Sequence, residues 1–181
     1  MLPRIPLVAN ATPFIDAGRA LSELHLGYES ATPYPLDGLS DVGGDEPAGA
    51  GDAAYQMFRV EKMRFGRPTA EQKQVGLRDD RSTIVYNGHI TLRGVPEEAY
   101  RYLLGSRSAI ERIMERYQVK IDKASQIRND PNDWSREVDN PRYILDLLAR
   151  IVTVSVGTMT IVDSLPALGL VEQQGNGVGV T

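Results

Sequence analysis

The sequence predicts an α+β fold, in which a small, mainly antiparallel sheet packs on helices and one long helix lies near the carboxyl end. Asn87-Gly88 separates two β-branched runs, Thr83–Tyr86 and His89–Leu92, which is a strong hairpin pattern. From Ile144 to Leu165, apolar residues recur at steps of three and four, which is the helical period. The 181 residues are 41% hydrophobic, enough for one domain with its own core.

Three helices follow from start signals and apolar spacing. Thr12-Pro13 begins the first helix, which ends near Gly27. Pro96 begins a short helix that Gly105 ends, and Ser108 caps the next one. The apolar side chains of the first and third of these repeat at helical spacing: Phe14, Ala17, Leu21 and Leu24, then Ile110, Ile113, Met114 and Tyr117.

The longest predicted helix covers 141–165 and forms the centre of the core. Asn140-Pro141 provides its start, and Pro166 ends it. Before it, we expect Trp134 to anchor a polar loop against the core. We assign 1–168 to one domain and expect the glycine-rich tail 169–181 to be disordered.

A strand is predicted over 58–65, where Phe58, Val60, Met63 and Phe65 alternate with charged residues except for a slip at Lys62-Met63. That slip suggests a bulge. The segment 37–55 is acidic and glycine-rich and contains no Lys or Arg, so we expect a solvated loop there.

The composition argues against several classes of function. The chain has no cysteine and only two histidines, and it lacks the glycine-rich phosphate loop of nucleotide-driven motors. We therefore predict no catalytic residue, no metal site and no cofactor within this chain. No membrane helix or signal peptide is recognisable, and we expect a cytoplasmic location.

One local excess of positive charge favours nucleic-acid binding. Between Gln56 and Arg81 there are seven basic and four acidic residues, a local +3 in a chain of formal charge −4. Lys and Arg can neutralise phosphates, and Arg can bind a guanine edge with two hydrogen bonds. The DNA-binding candidates on the strand, the polar segment 66–81 and the hairpin tip are Arg59, Lys62, Arg64, Lys73, Arg78, Arg81, Asn87 and His89. An ordinary solvated surface is an equally good interpretation, and the helix bearing Arg107, Arg112 and Arg116 is the next candidate.

Several colinear blocks resemble one known domain family. They include Val60–Gly66 (Val-Glu-Lys-Met-Arg-Phe-Gly), Tyr86–Leu92, Asn129–Ser135 (Asn-Asp-Pro-Asn-Asp-Trp-Ser) and Asn140–Leu147. Ala17–Arg19, Glu23–Leu26, Pro33–Leu36 and Ser108–Glu111 complete the pattern. Together they resemble the carboxy-terminal specificity domain of type ISP restriction–modification enzymes, which are often described as DEAD/DEAH-box proteins or helicases. The acidic segment and the glycine tail match no block of that family.

The resemblance implies a larger parent chain that continues upstream of Met1. That parent would carry nuclease, ATP-driven translocase and adenine methyltransferase parts and would use ATP, Mg²⁺ and S-adenosylmethionine. The present domain would recognise the target in double-stranded DNA and contact the upstream methyltransferase and motor domains. The alternative is a scaffold that couples the methyltransferase to the motor without reading bases. An exposed apolar stripe on the helix 141–165 would favour such a scaffold.

Overall fold

The computed structural model describes Val8, residues 10–40 and residues 51–167. Within these ranges the helices are α1 (Thr12–Leu26), α2 (Asp52–Met57), α3 (Ala70–Gln74), α4 (Ala109–Arg116), α5 (Asn132–Glu137) and α6 (Tyr143–Asp163). The strands are β1 (Arg64–Gly66), β2 (Asp80–Val85), β3 (Thr91–Arg93), β4 (Leu103–Leu104), β5 (Arg107–Ser108), β6 (Lys120–Ile121) and β7 (Arg128–Asn129). Helices combined with small antiparallel sheets confirm the predicted α+β class.

Helix α6 is the centre of the core, as predicted. It spans Tyr143–Asp163 rather than 141–165, and its N-cap residue is Arg142 rather than Asn140. Its buried side chains include Leu145, Leu148 and Val152, each fully enclosed. It packs against α1, α4 and the 3₁₀ turn Glu97–Arg101. Among the described helices it alone is long and apolar enough to cross a membrane. However, 61% of its apolar window is buried inside the domain, as expected for a core helix.

Beside α6 lies a three-stranded antiparallel sheet in the order β1-β2-β3. The predicted hairpin is confirmed, but its connection is longer than the two-residue turn that Asn-Gly suggests. Tyr86 donates its N–H to the Ile90 carbonyl (3.1 Å), which leaves a loop rather than a tight turn. The Asn87 carboxamide oxygen accepts the N–H groups of His89 and Ile90, both at 2.8 Å. This side chain therefore organises the loop.

The predicted strand 58–65 is wrong in extent, because only Arg64–Gly66 joins the sheet. Phe58, Val60 and Met63 are buried as the alternation implied, but their backbone does not form a strand ladder. The register irregularity falls between Phe65 and Gly66, not at Lys62-Met63. Burial was correctly predicted here and backbone pairing was not.

The acidic loop 37–55 is ordered at both ends. Asp37 forms a bridge with Arg93 at the edge of β3, and Asp52 begins helix α2. Residues 41–50 and the predicted disordered tail 169–181 lie outside the described residues.

Two further local predictions have mixed outcomes. Ser108 caps α4 as predicted, through reciprocal hydrogen bonds with Glu111. The predicted helix from Pro96 to Gly105 is a single 3₁₀ turn, Glu97–Arg101, followed by the β4–β5 hairpin. Trp134 does not anchor a loop in the core, because it lies on α5 with 47% of its surface exposed.

Candidate nucleic-acid interface

The three-stranded sheet has one buried face and one open face. Phe65, Ile84 and Leu92 are cross-strand partners on the face turned toward the core. Directly opposed residues in antiparallel strands share a face, so the next positions lie on the other side. The open face carries two cross-strand rows: Arg64 with Val85 and Thr91, and Thr83 with Arg93.

The two arginines of this open face are available to a partner. Arg64 and Arg93 are both exposed, and neither forms an ion pair with any described residue. Thr83, Val85 and Thr91 between them are half-buried, which makes the surface between the cations shallow. We refer to these five residues, Arg64, Thr83, Val85, Thr91 and Arg93, as the open sheet face.

The polar segment 66–81 connects β1 to β2 and contains a short helix that the sequence did not predict. Thr69 and Gln72 form a capping box that begins α3, which displays Lys73. Gln72 also donates to the carboxylate of Asp80 (3.3 Å), tying the segment to β2. The hydroxyl of Ser82 is the largest influence that lowers the pKa of Asp80, so that carboxylate stays ionised as an acceptor.

Four more cations lie next to β1 in the sequence or in the segment that connects β1 to β2. Lys62, Arg67, Lys73 and Arg78 are exposed, and the described part of the chain offers none of them an ion-pair partner. Of the eight sequence candidates, Lys62, Arg64, Lys73, Arg78 and the exposed tip residue His89 therefore remain available to an anionic ligand.

Arg59 and Arg81, by contrast, are engaged within the domain. Arg59 pairs with Asp130 and with Glu61, and the hydrogen bond to Asp130 is the main cause that raises its pKa. Arg81 pairs with Glu111 at 2.7 Å, and its guanidinium lies over the Tyr100 ring at 4.4 Å. These contacts join separate elements of the chain, so we assign both arginines to the scaffold.

Asn87 also has a structural role rather than a free side chain. Its amide nitrogen donates to the carbonyls of Met57 and Arg59, both at 2.9 Å, in addition to the two acceptor contacts in its own loop. All of its hydrogen-bonding capacity is therefore used inside the domain.

Sequence reasoning missed Arg93, Thr83 and Thr91. The signal was present in the alternation within the hairpin, since residues two apart along a strand share a face. In the second candidate group, Arg107 and Arg112 both approach Glu115, at 3.3 and 3.6 Å. Arg116 has no ion pair among the described residues. That helix therefore presents less unbalanced positive charge than the sheet.

A cleft of about 390 Å³ separates β1 from α4. Three cations line it, Lys62, Arg64 and Arg107, together with Asp79, Glu111 and Glu115. The described residues contain no group of three or more metal-ligating side chains. Arg64 lines both this cleft and the open sheet face, so acidic side chains lie near it, and the Asp80 carboxylate adjoins Thr83 on the same face. We select the open sheet face as the candidate surface because it carries two exposed arginines without ion pairs among the described residues.

The chain is thus an α+β domain whose three-stranded sheet carries two exposed arginines on one face. The sequence profile described as the type ISP C-terminal specificity domain matches residues 1–147, and the chain belongs to that family. This confirms the resemblance carried by the sequence blocks. Among curated proteins, none matches this chain.

Three solved protein–DNA complexes are similar to this chain over nearly its whole length, and two of them are type ISP restriction–modification enzymes. One is a nuclease-deletion mutant of the type ISP enzyme LlaGI in complex with a DNA substrate mimic (TM-score 0.69, 38% identity, 94% of this chain and 12% of that chain). Another is the ATP-dependent type ISP enzyme LlaBIII bound to DNA (0.69, 36%, 94% and 10%). A third is the DrdV–DNA complex (0.63, 31%, 92% and 15%). The chain thus spans 10–15% of the length of these relatives.

Proposed function

We propose that this chain is the DNA target-recognition domain of a larger restriction–modification enzyme and that the open sheet face contacts double-stranded DNA. The single observation that carries the proposal is the pair Arg64 and Arg93, exposed and unpaired among the described residues on one face of the sheet. Membership of a specificity-domain family and the DNA in the related structures support it.

The chemistry of this face suits a DNA groove. The major groove admits a β-ribbon, and arginine there can bind a guanine edge with two parallel hydrogen bonds. Thr91 adds a hydroxyl group that can accept or donate and a methyl group that suits the thymine methyl, whereas the Thr83 hydroxyl is hydrogen-bonded to Asp80. The flanking Lys62, Arg67, Lys73 and Arg78 would bind phosphates and fix the register on the duplex.

The whole-chain charge of −4 does not oppose this function, because binding depends on the field near the contact. We therefore expect DNA affinity to depend steeply on the few cations of the open sheet face and the segment that connects β1 to β2.

The parent enzyme would supply the chemistry. We infer that nuclease, translocase and adenine methyltransferase parts, with ATP, Mg²⁺ and S-adenosylmethionine, belong to the rest of that chain, acting in the cytoplasm. The short share of the relatives that this chain spans supports that division. The isolated chain is expected to show no ATPase, nuclease or methyl-transfer activity, and a turnover abolished by a point mutation inside it would contradict this.

The scaffold alternative would need an exposed apolar stripe on α6, and that stripe is mostly covered. Helices α1 and α4 and the 3₁₀ turn Glu97–Arg101 pack over it within the domain. Val162, near the end of the helix, is 40% exposed, which is a small surface on which to dock another domain.

The test is duplex binding by the intact parent enzyme at several salt concentrations. Charge reversal at Arg64, Lys73 and Arg78 together should lower the affinity and reduce the salt slope by about 0.9 for each phosphate that the variant no longer neutralises. Arg93→Ala alone should cost about 1–3 kcal/mol and relax one position of the target if Arg93 reads a base. Arg19→Ala, on α1 away from the sheet, is the matched control. Unchanged affinity and salt slope in the charge-reversed variant would show that this is the wrong surface.

A further inference from the structure

A second cleft lies between the end of α4, the β7 strand and the α5–α6 region. It has a volume of about 330 Å³, at the small end of the range of small-molecule pockets, about 300–1,000 Å³. Its lining residues are Arg116, Tyr117, Asn129, Pro131, Trp134 and Tyr143, and none of them belongs to the open sheet face. We call it the Trp134 cleft.

One wall of the Trp134 cleft is a tryptophan held in a defined orientation. Trp134 meets Tyr143 edge to face, with ring centroids 6.4 Å apart and planes at 70°. The Tyr143 hydroxyl donates to Glu29 (3.1 Å), and Tyr117 is hydrogen-bonded to Tyr143. These hydrogen bonds hold Tyr143 in place against Trp134, while 47% of the Trp134 surface remains exposed. An indole that packs against another ring and is still half-exposed can accept a flat partner by stacking.

The other wall offers polar groups that have no partner among the described residues. Arg116 is exposed, and the ion pairs of the described residues do not include it. Asn129 is exposed too, and its carboxamide forms no hydrogen bond with the residues described. These groups match three features of a nucleotide: the guanidinium suits the phosphate, the carboxamide suits the edge of the base, and the aromatic ring suits the plane of the base.

We propose that the Trp134 cleft binds one unstacked nucleotide, with its base against Trp134, its phosphate at Arg116 and its base edge at Asn129. This proposal rests on the proposed function in one respect, the source of the base, which would be a DNA strand opened or distorted near the target. A free nucleotide carries the same chemistry and is the other possible source. An aromatic side chain from a neighbouring protein domain is the competing occupant, and it would not need the phosphate contact.

Trp134 provides the readout, because it is the single tryptophan of the chain. Titration of the 181-residue chain with deoxyadenosine monophosphate and with a short single-stranded oligodeoxynucleotide should quench its fluorescence. Quenching by the strand alone assigns the base to DNA, and quenching by the mononucleotide as well assigns the site to nucleotides generally. Both outcomes support the proposal.

Variants separate the roles of the lining residues, with binding followed by anisotropy of the labelled oligonucleotide. Trp134→Leu should weaken strand binding by about 5- to 150-fold, the cost of removing one stacking partner, and Trp134→Phe should recover part of that affinity. Arg116→Gln should lower the salt slope by about 0.7, the value for one phosphate of a single strand. Arg19→Gln is the control for removal of an exposed arginine, and circular dichroism shows that each variant is folded.

The proposal is overturned if neither ligand changes Trp134 fluorescence at millimolar concentration, or if Trp134→Leu binds the strand as the unmodified chain does. Either result is distinguishable from failure of the proposed function, which concerns duplex binding through Arg64 and Arg93. If the sheet variants bind the duplex weakly but neither ligand changes Trp134 fluorescence, the proposed function stands and the proposal for the Trp134 cleft fails.

Discussion

The side chain of Asn132 hydrogen-bonds to both backbone polar groups of Val60. Its carboxamide oxygen accepts the Val60 N–H at 2.9 Å, and its nitrogen donates to the Val60 carbonyl at 2.7 Å. A neighbouring β-strand would form the same pair of hydrogen bonds with Val60, and here one side-chain amide forms both. Val60 is fully buried, so its backbone groups need such a partner.

Asn132→Ala should therefore destabilise the domain by about 1–3 kcal/mol, because it leaves two buried backbone groups without partners. Chemical denaturation measures the change in the free energy of unfolding. The exposed neighbour Asp133 provides the control, since Asp133→Asn should change stability by less than about 0.5 kcal/mol. Equal effects of the two substitutions would show that the Asn132 contacts contribute nothing specific.

This relationship also explains how far the sequence could be interpreted. The alternation of Phe58, Val60 and Met63 correctly indicates which side chains are buried, since burial depends on local pattern. It could not show that Asn132, 72 residues away, replaces a strand as hydrogen-bond partner. Long helices were predictable because their period is repeated many times, as in α6.

The candidate site was predictable to a similar degree. Charge counting located the region of Arg64, Lys73 and Arg78, but it could not separate exposed cations from those that pair inside the domain. Arg59 and Arg81 look equivalent to Arg64 in the sequence, yet their partners Asp130 and Glu111 come from distant elements. Arg93 was missed because the +3 count ended at Arg81.

Arg81 and Arg93 should respond oppositely to replacement. Arg81→Ala removes the ion pair with Glu111 and the stacking on Tyr100, and should reduce stability by about 1 kcal/mol. It should change duplex affinity little. Arg93→Ala should lower duplex affinity with little change in stability. Paired measurements of melting temperature and duplex binding test this, and a reversed pattern would contradict the assignment of the two roles.

Gly66 lies where β1 approaches β2 closely. A Cβ atom added there would come within 2.8 Å of the Thr83 Cβ, a contact that requires the strands to shift. Gly66→Ala should therefore cost about 1–3 kcal/mol of stability.

Gly18→Ala is the opposite case, since nothing lies within 4 Å of its added Cβ on α1. It should gain about 0.5–1 kcal/mol because alanine favours the helix. Thermal unfolding of both variants tests the contrast.

The pH dependence of stability should include a contribution from Asp130. Burial pushes its pKa upward, but hydrogen bonds from Arg59 and Asn132 outweigh burial and lower the pKa below its ordinary value. A carboxyl whose pKa is lower in the folded state stabilises the domain above its unfolded pKa of about 3.9, and that stability disappears as the pH falls through the folded pKa.

Asp130→Asn should accordingly be destabilising at neutral pH, and the difference from the unmodified chain should shrink as the pH falls below about 4. Urea denaturation at a series of pH values measures this, with Asp133→Asn as control. A difference that stays constant from neutral to acidic pH would mean that the Asp130 charge does not stabilise the folded state.

Leu148, fully enclosed on α6, tests the central helix. Leu148→Ala should cost about 2–5 kcal/mol, the range for buried leucine truncations. Val162 lies on the same helix but is 40% exposed. Val162→Ala should cost less than about half a kcal/mol, because its side chain is already partly in water. A loss below about half a kcal/mol at Leu148 would show that this helix is not the core.

The two faces of the three-stranded sheet differ in how freely their side chains can be substituted. Ile84 and Leu92 are enclosed and fixed by packing, whereas Arg64, Thr83 and Arg93 project from alternate positions of the same strands. Substitutions at exposed positions usually change stability by less than about 0.5 kcal/mol. New side chains can therefore be tried on the outer positions one at a time while the fold persists. Under the proposed function, a lineage of such domains could acquire new DNA targets through small steps, each of which leaves a folded protein.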